Sequence, residues 1–271
     1  MQRQTPPPPA APPKLNPDKL SAGSGNNGTP GKPANGQAGK SDAYQFLRTL
    51  KSFSNVPPAD LNLLADSSRF VSLNSGQYIT IEGEDDSSTG FIVVSGCIAM
   101  LKTSSSGKEL IVDLLPAGDI FGLLLKLAEG RLPEQLSARS MRKSVLLRVP
   151  MIDFKQTLKT QPHLLGEVVE HLLVSLQSAY CLSCGLAHDR VEVRIATVLL
   201  ALAGKFATLV PNEPLPVINF TRQQIADLTG TTPETAIRVT RAMQHDGLID
   251  IKRPGVIRVL DRKGLGLIAE S

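Results

Sequence analysis

The rhythm of apolar and polar positions changes along this 271-residue chain, and each change marks off a region with its own period. Residues 1–42 have no rhythm at all: PPPPAAPP is followed by SAGSGNNGTPGKPANGQAGK, with almost no branched or aromatic side chains. Such a segment buries too little apolar surface to offset the entropy of ordering it, which predicts a disordered Pro/Gly/Ala-rich tail acting as a tether. Its Lys14, Lys19, Lys32 and Lys40 could brush an anionic partner. Helical spacing begins in SDAYQFLRTLKSF, where Ser41 or Asp42 is placed to cap a helix carrying Tyr44, Phe46, Leu47 and Leu50. PPADLNLLADSS reads as a second short helix with Pro57 or Pro58 at its start, where a missing N–H costs nothing.

From Phe70 to Val149 the texture turns to short apolar runs: RFVSL, YITI, GFIVV, CIAMLKT and ELIVDLL. Gly76, Gly83, Gly96, Gly107 and Gly118 stand between them, where the chain has to turn. Strand-length runs about every ten residues predict an all-β roll or barrel. A helical period then returns in QPHLLGEVVEHLLVSLQSAYCLSCGLAH. Leu165, Val169, Leu172, Leu176, Ala179, Ser183 and Leu186 recur in alternating steps of four and three, which is a heptad seam. A helix with that stripe either lies along its own domain or pairs with a second copy, and the heptads favour pairing.

Asp189 with Glu192, and Thr221 with Gln224, fit the capping-box pattern ahead of VRIATVLLALAGKF and TRQQIADLTG. Thr232 and Pro233 open a further helix through Met243. LIDIK, the turn RPG and VIRVL read as a β-hairpin, and DRKGLGLIA as a terminal helix. The expected class is therefore α+β: a β-roll over 43–160, a long helix over 161–188, and a mostly helical unit ending in a hairpin over 189–271.

Composition refines this picture only slightly. A net charge of +4 and a pI near 9.0 suit a nucleic-acid partner without demanding one. Three cysteines make no framework for a disulfide-stapled secreted domain. No stretch is long and apolar enough to span a membrane, and MQRQTPPPPAAPPK has no signal-peptide core, so a cytoplasmic location is expected. With no Gly-rich phosphate loop, paired carboxylate site or Ser/His/Asp arrangement, an enzyme is not expected.

A helix ending at LTG, a short turn and a second capped helix make a helix-turn-helix, with the hairpin behind it as a wing. Ala226 is small where the two helices would cross, Gly230 sits in the turn, and Ala236 and Val239 point to the core. Glu234, Arg238 and Arg241 share the opposite, exposed face. A solvated i,i+4 pair would account for Glu234 and Arg238 alone. The caps, the wing and the basic Arg222, Arg241, Lys252, Arg253 and Arg258 favour a surface that reads double-stranded DNA from the major groove. Glu234 could then accept from cytosine N4, and Arg238 could span guanine O6 and N7.

TRQQIADLTGTTPETAIRVTRAMQHDGLI resembles the winged helix-turn-helix of the Crp/Fnr family of bacterial transcription regulators. GEDDSSTGFIVVSGCIAMLKTSSSGKELIVDLLPAGDIFG resembles that family's cyclic-nucleotide-binding-type β-roll, so the likeness covers about residues 44–271. It implies a homodimer joined through helix 161–188, a palindromic operator with TGA-like half-sites, and RNA polymerase as a further candidate partner. The family's Glu-Thr-x-x-Arg is matched by Glu234, Thr235 and Arg238, and its DNA-backbone contacts by Arg222, Gln223 and Thr232. A β-roll module acting through protein contacts is the rival reading.

Two sensor sites are candidates. Relatives that bind cyclic AMP carry Gly-Glu and, about ten residues on, Arg-Ser; here Leu123 follows Gly122, and the phosphate-facing positions fall near Glu134 and Gln135. A glutamate there repels an anion, and Arg131 or Arg139 would serve only after a register shift, so an effector other than cyclic AMP is expected. The second candidate is CLSCGLAH, where Cys181, Cys184 and His188 lie at i, i+3 and i+7 along one helical stripe. Two such helices could hold zinc or an iron–sulfur cluster, or form inter-subunit disulfides. The plainer reading, which the seam favours, is that these residues pack or cap; Cys97 reads as core, and His163, His171 and His245 as helix surface. The cofactor stays open.

Overall fold

The computed structural model describes residues 38–79, 89–122, 137–206 and 217–271. The tail before Ala38 and the expected roles of Gly83, Leu123, Arg131, Glu134 and Gln135 lie outside the described residues. Helix α1 (Ala38–Thr49) starts ahead of the predicted Ser41 or Asp42 cap, so both residues lie within the helix and the ordered region begins before 43. Lys40, in its first turn, pairs with Asp66 at 3.4 Å, which ties that turn to α2 (Pro58–Ser67). A short 3-10 turn at Lys51–Phe53 joins the two.

The roll is two four-stranded antiparallel sheets. One has the order β1 (Arg69–Leu73), β8 (Ser144–Pro150), β3 (Thr89–Ser95), β6 (Ile120–Phe121). The other has β2 (Tyr78–Ile79), β7 (Ser137–Ser140), β4 (Cys97–Thr103), β5 (Glu109–Pro116). Val93, Ile98, Met100, Leu115, Ala138 and Leu146 fill the space between the sheets. The outer face of the first sheet, with Ile92, Val94, Val145, Leu147 and Val149, is covered by α1, α2 and α3 (Met151–Thr160). Burial on both faces explains why these strands read as unbroken apolar runs, with no alternation of polar positions. Gly96 (φ 99°) makes the tight turn between β3 and β4, where any Cβ would collide with Ser144.

Helix α4 (Pro162–His188) runs for 27 residues, and α5 (Val191–Lys205) follows after only two. The Asp189–Glu192 capping box does not form: Asp189 instead ends α4, its N–H donating to Gly185 O at 3.0 Å, and Arg190 is the uncapped N-cap of α5. With so short a connection, Asp189 is used up in terminating the preceding helix. Leu164 and Val168 of α4 are buried in the chain's own core, whereas Leu165, Val169, Leu172, Leu173, Leu176 and Tyr180 face outward. Leu186, expected in the seam, turns inward and meets the reader's turn at Gly230. The C-terminal unit adds α6 (Arg222–Thr229), α7 (Pro233–His245), α8 (Arg262–Ala269) and a sheet of order β10 (Ile249–Arg253), β11 (Val256–Val259), β9 (Val217–Ile218). Its core is continuous with the outer face of β4 and β5: Cys97, Ala99, Leu101, Ile111 and Leu114 pack in one cluster with residues of α5, α6 and α7.

Candidate nucleic-acid interface

The reader is set up by its caps. Thr221 accepts from Gln224 N at 3.2 Å while Gln224 Oε1 accepts from Thr221 N at 2.8 Å, the reciprocal pair that satisfies two orphan donors at the start of α6. Gly230 ends that helix at φ 59°, a left-handed turn that glycine adopts without strain. Thr232 then caps α7 by accepting from Thr235 N at 3.3 Å, with Pro233 in the first turn. Ala226 and Ala236 are fully buried at the crossing, and Val239, Thr240 and Met243 bury the inner side of α7.

The opposite side of α7 carries Glu234, Arg238 and Arg241, all exposed on one face as the spacing predicts. Glu234 and Arg238 do not pair with each other; Arg238, its side chain 71% exposed, only approaches Glu192 of α5, at 4.0 Å. A pair so open to solvent costs little to break, so the guanidinium remains available to a new acceptor. Thr232 and Thr235 meet through their hydroxyls at 3.2 Å at the helix start. Arg222 and Gln223 stand on the first turn of α6, and among the described residues the buried Nε of Arg222 has no hydrogen-bond partner. On the wing, Lys252 and Arg258 both lie 3.8 Å from Asp250, which offsets part of their charge, while Arg253 is exposed.

The sensor candidates fare differently. Gly122 is buried at φ 75° against Gly90 and is the single described member of its predicted set. Arg139 is placed where it cannot face the inside of the roll: Ala138 points inward on β7, and Arg139 emerges on the outer face, toward the C-terminal unit. Cys181 and Cys184 are free and exposed on α4, as is His188. Within one chain, no group of three or more His, Cys, Asp or Glu side chains is gathered to hold a metal ion among the described residues. Cys97 is buried in the core shared by roll and reader, and burial pushes its thiol up to about 11.

Sequence reasoning missed the polar network between the two units. Arg139 donates to Tyr78 Oη at 3.0 Å and to Glu109, and its other nitrogen lies 3.6 Å from Asp227 of α6. Asp227 in turn accepts from Gln223 Nε2 at 2.8 Å. Burial raises the Asp227 carboxyl above its usual range, against the lowering effect of Gln223 and Arg139. Lys205, at the end of α5, makes a second link, donating to Leu114 O of β5 at 2.6 Å and lying 3.7 Å from Asp119. The alternation of small and charged residues in SARS was the available signal for Arg139; nothing local identified its partners.

The sequence and the fold can now be set beside known proteins. Residues 70–161 match the cyclic nucleotide-binding domain, and residues 193–268 match the Crp-like helix-turn-helix domain. The chain is 28% identical over 170 residues to the cAMP-activated global transcriptional regulator CRP of Pasteurella multocida, covering 62% of this chain and 80% of that protein. It is 26% identical over 211 residues to the nitrogen fixation regulation protein FixK of Bradyrhizobium diazoefficiens, covering 78% and 86%. The structure of FixK2 from Bradyrhizobium japonicum shares the fold with a TM-score of 0.64 at 20% identity, over 74% of this chain and 96% of that one. No helix among the described residues is long and apolar enough to cross a membrane. A cyclic-nucleotide-binding-like roll, a long connecting helix and a helix-turn-helix, in this order and with these relatives, make the chain a transcription regulator of the Crp/Fnr family.

Proposed function

We propose that the protein is a homodimeric, sequence-specific regulator that binds a two-fold operator with TGA-like half-sites. The observation that carries this reading is the face of α7, where Glu234, Arg238 and Arg241 stand exposed and not joined to one another above a fully buried inner side. In this reading Glu234, Thr235 and Arg238 meet base edges, Arg241 reaches a base or phosphate one turn on, and Arg222, Gln223 and Thr232 hold the backbone. Leu165, Val169, Leu172 and Leu176 of α4 are the surface for a second copy, since four apolar side chains between 44% and 51% exposed on one stripe are otherwise left in water.

The effector is a molecule other than cyclic AMP, because Leu123 stands where cyclic-AMP-binding relatives have the ribose-binding glutamate, and Arg139 faces out of the roll. A second reading, redox control, rests on the exposure of Cys181 and Cys184 beside the dimer stripe. A binding selection from random duplexes, run with protein purified anaerobically and again after oxidation, tests both. A two-fold motif with TGA-like halves is expected. Different motifs or affinities in the two samples would support the thiols, identical ones would send the signal to the roll, and no motif from either sample would overturn the reader.

A further inference from the structure

Between the roll and the reader lies a cleft of ≈ 1340 Å³, and the two walls carry unlike chemistry. One wall is the β4–β5 turn, Ser104 to Lys108, together with Tyr78, Glu109 and Arg139; the other is the reader's Gln223, Asp227 and Thr231 to Pro233. The polar network of Arg139 closes the cleft at its base. Glu109 and Asp227 both face the guanidinium, with their side chains only 24% and 13% exposed. Beside it, Gly230 is pressed so closely on Leu186 and Leu110 that an added Cβ would lie 2.6 Å from the first.

This arrangement conflicts with DNA binding at three points. One N–H of the Gln223 amide already donates to Asp227, so that bond must break or the side chain must turn before both N–H groups can serve a phosphate. Asp227, bonded to Gln223, and Glu109, across Arg139 from it, place two carboxylates near Gln223, and they repel a phosphate brought there. The loop Ser104–Lys108 lines the same cleft as Thr232, at the N-terminus of the recognition helix, and narrows access to it.

We propose that Arg139 is an autoinhibitory latch: by bridging Glu109 of the roll and Asp227 of the reader, it holds the backbone-contacting side of the helix-turn-helix against the roll. The bridge acts together with the apolar core shared by β4, β5 and the reader, and its loss shifts the balance toward the released form. The proposal rests on the DNA-binding reading above, and its test separates the two.

The full-length protein without effector is compared with Arg139→Gln, Asp227→Asn and the double variant, by affinity for the selected operator and by small-angle scattering without DNA. Each single change is expected to tighten operator binding about tenfold, toward the lower end of the range for coupled sites. The double variant is expected to bind no tighter than the tighter single, because one bridge can be broken only once. Both singles are also expected to increase the radius of gyration in the absence of DNA. Additive effects would mean that Asp227→Asn acts only by removing a charge near DNA, and the latch would be wrong. Unchanged dimensions in Asp227→Asn, a substitution on the reader that leaves the roll intact, would also overturn it. Expansion without duplex binding by any form would uphold the latch and sink the reader.

Discussion

At the scale of single residues, the reader separates two kinds of contact. Arg238, exposed on α7 with only a 4.0 Å approach to Glu192, is proposed to meet a base edge, whereas Arg222, on the first turn of α6, is proposed to hold the DNA backbone. Arg238→Ala is expected to relax base preference at one position of each half-site, at a cost of about 1–3 kcal/mol on the preferred sequence. Arg222→Ala is expected to weaken all duplexes alike and to lower the salt dependence of binding. A repeat of the duplex selection with both variants checks this, and an unchanged motif for Arg238→Ala would show that the helix docks otherwise. The cysteines make a second contrast at this scale. Cys97, pushed up to about 11 by burial, stays protonated in the folded protein while an unfolded thiol ionises near its ordinary value. It therefore contributes stability that is complete below about pH 8.5 and lost as pH rises through about 11. At pH 8 an alkylating reagent should modify the exposed Cys181 and Cys184 and leave Cys97 until the protein unfolds, as mass spectrometry of the peptides would show.

Among the elements, those with local signals were legible and those made by long-range contact were not. Thr221–Gln224, Thr232–Pro233, Gly230 and the hairpin turn at Gly255 announce themselves through residue chemistry, and each stands where the sequence puts it. Pro162 and His188 likewise bound α4 as read. Strands β6 and β9 span two residues each, too short for any period to register, and α3 follows β8 directly at Pro150 with no turn residues between them. Asp189 shows the limit of pattern: the spacing to Glu192 is right, but the helix before it claims the residue first. The α6 cap gives a direct check, since Thr221→Ala removes the acceptor for Gln224 N and should cost about 1 kcal/mol of unfolding free energy, read from denaturant titration.

For the molecule as a whole, the proposed dimer rests on the surface left uncovered on α4. Leu172 and Leu176, 44% and 46% exposed, belong to a stripe that faces away from the chain's own core. Leu172→Glu with Leu176→Glu places two charges in that stripe, and sedimentation should then report a monomer that no longer holds two half-sites at once. The heptad positions from Leu165 to Ser183 are all exposed; Leu186 alone turns to the reader's turn at Gly230, a long-range contact that no local pattern could reveal. The candidate site divides in the same way. The residues proposed to face DNA follow from caps and helical spacing, while Arg139 and Asp227, from distant parts of the chain, come together only in the folded protein.

The core that joins the outer face of β4 and β5 to α5, α6 and α7 is almost entirely apolar, with Cys97, Ala99, Leu101, Ile111 and Leu114 on one side of it. Association of that kind draws on the hydrophobic effect, which weakens on cooling. The closed form therefore loses part of its advantage in the cold, while the ion pairs of Arg139 and Lys205 hold through a different temperature law. Under the latch proposal, the effector-free protein is expected to have a larger radius of gyration at low than at moderate temperature, which small-angle scattering at the two temperatures would check.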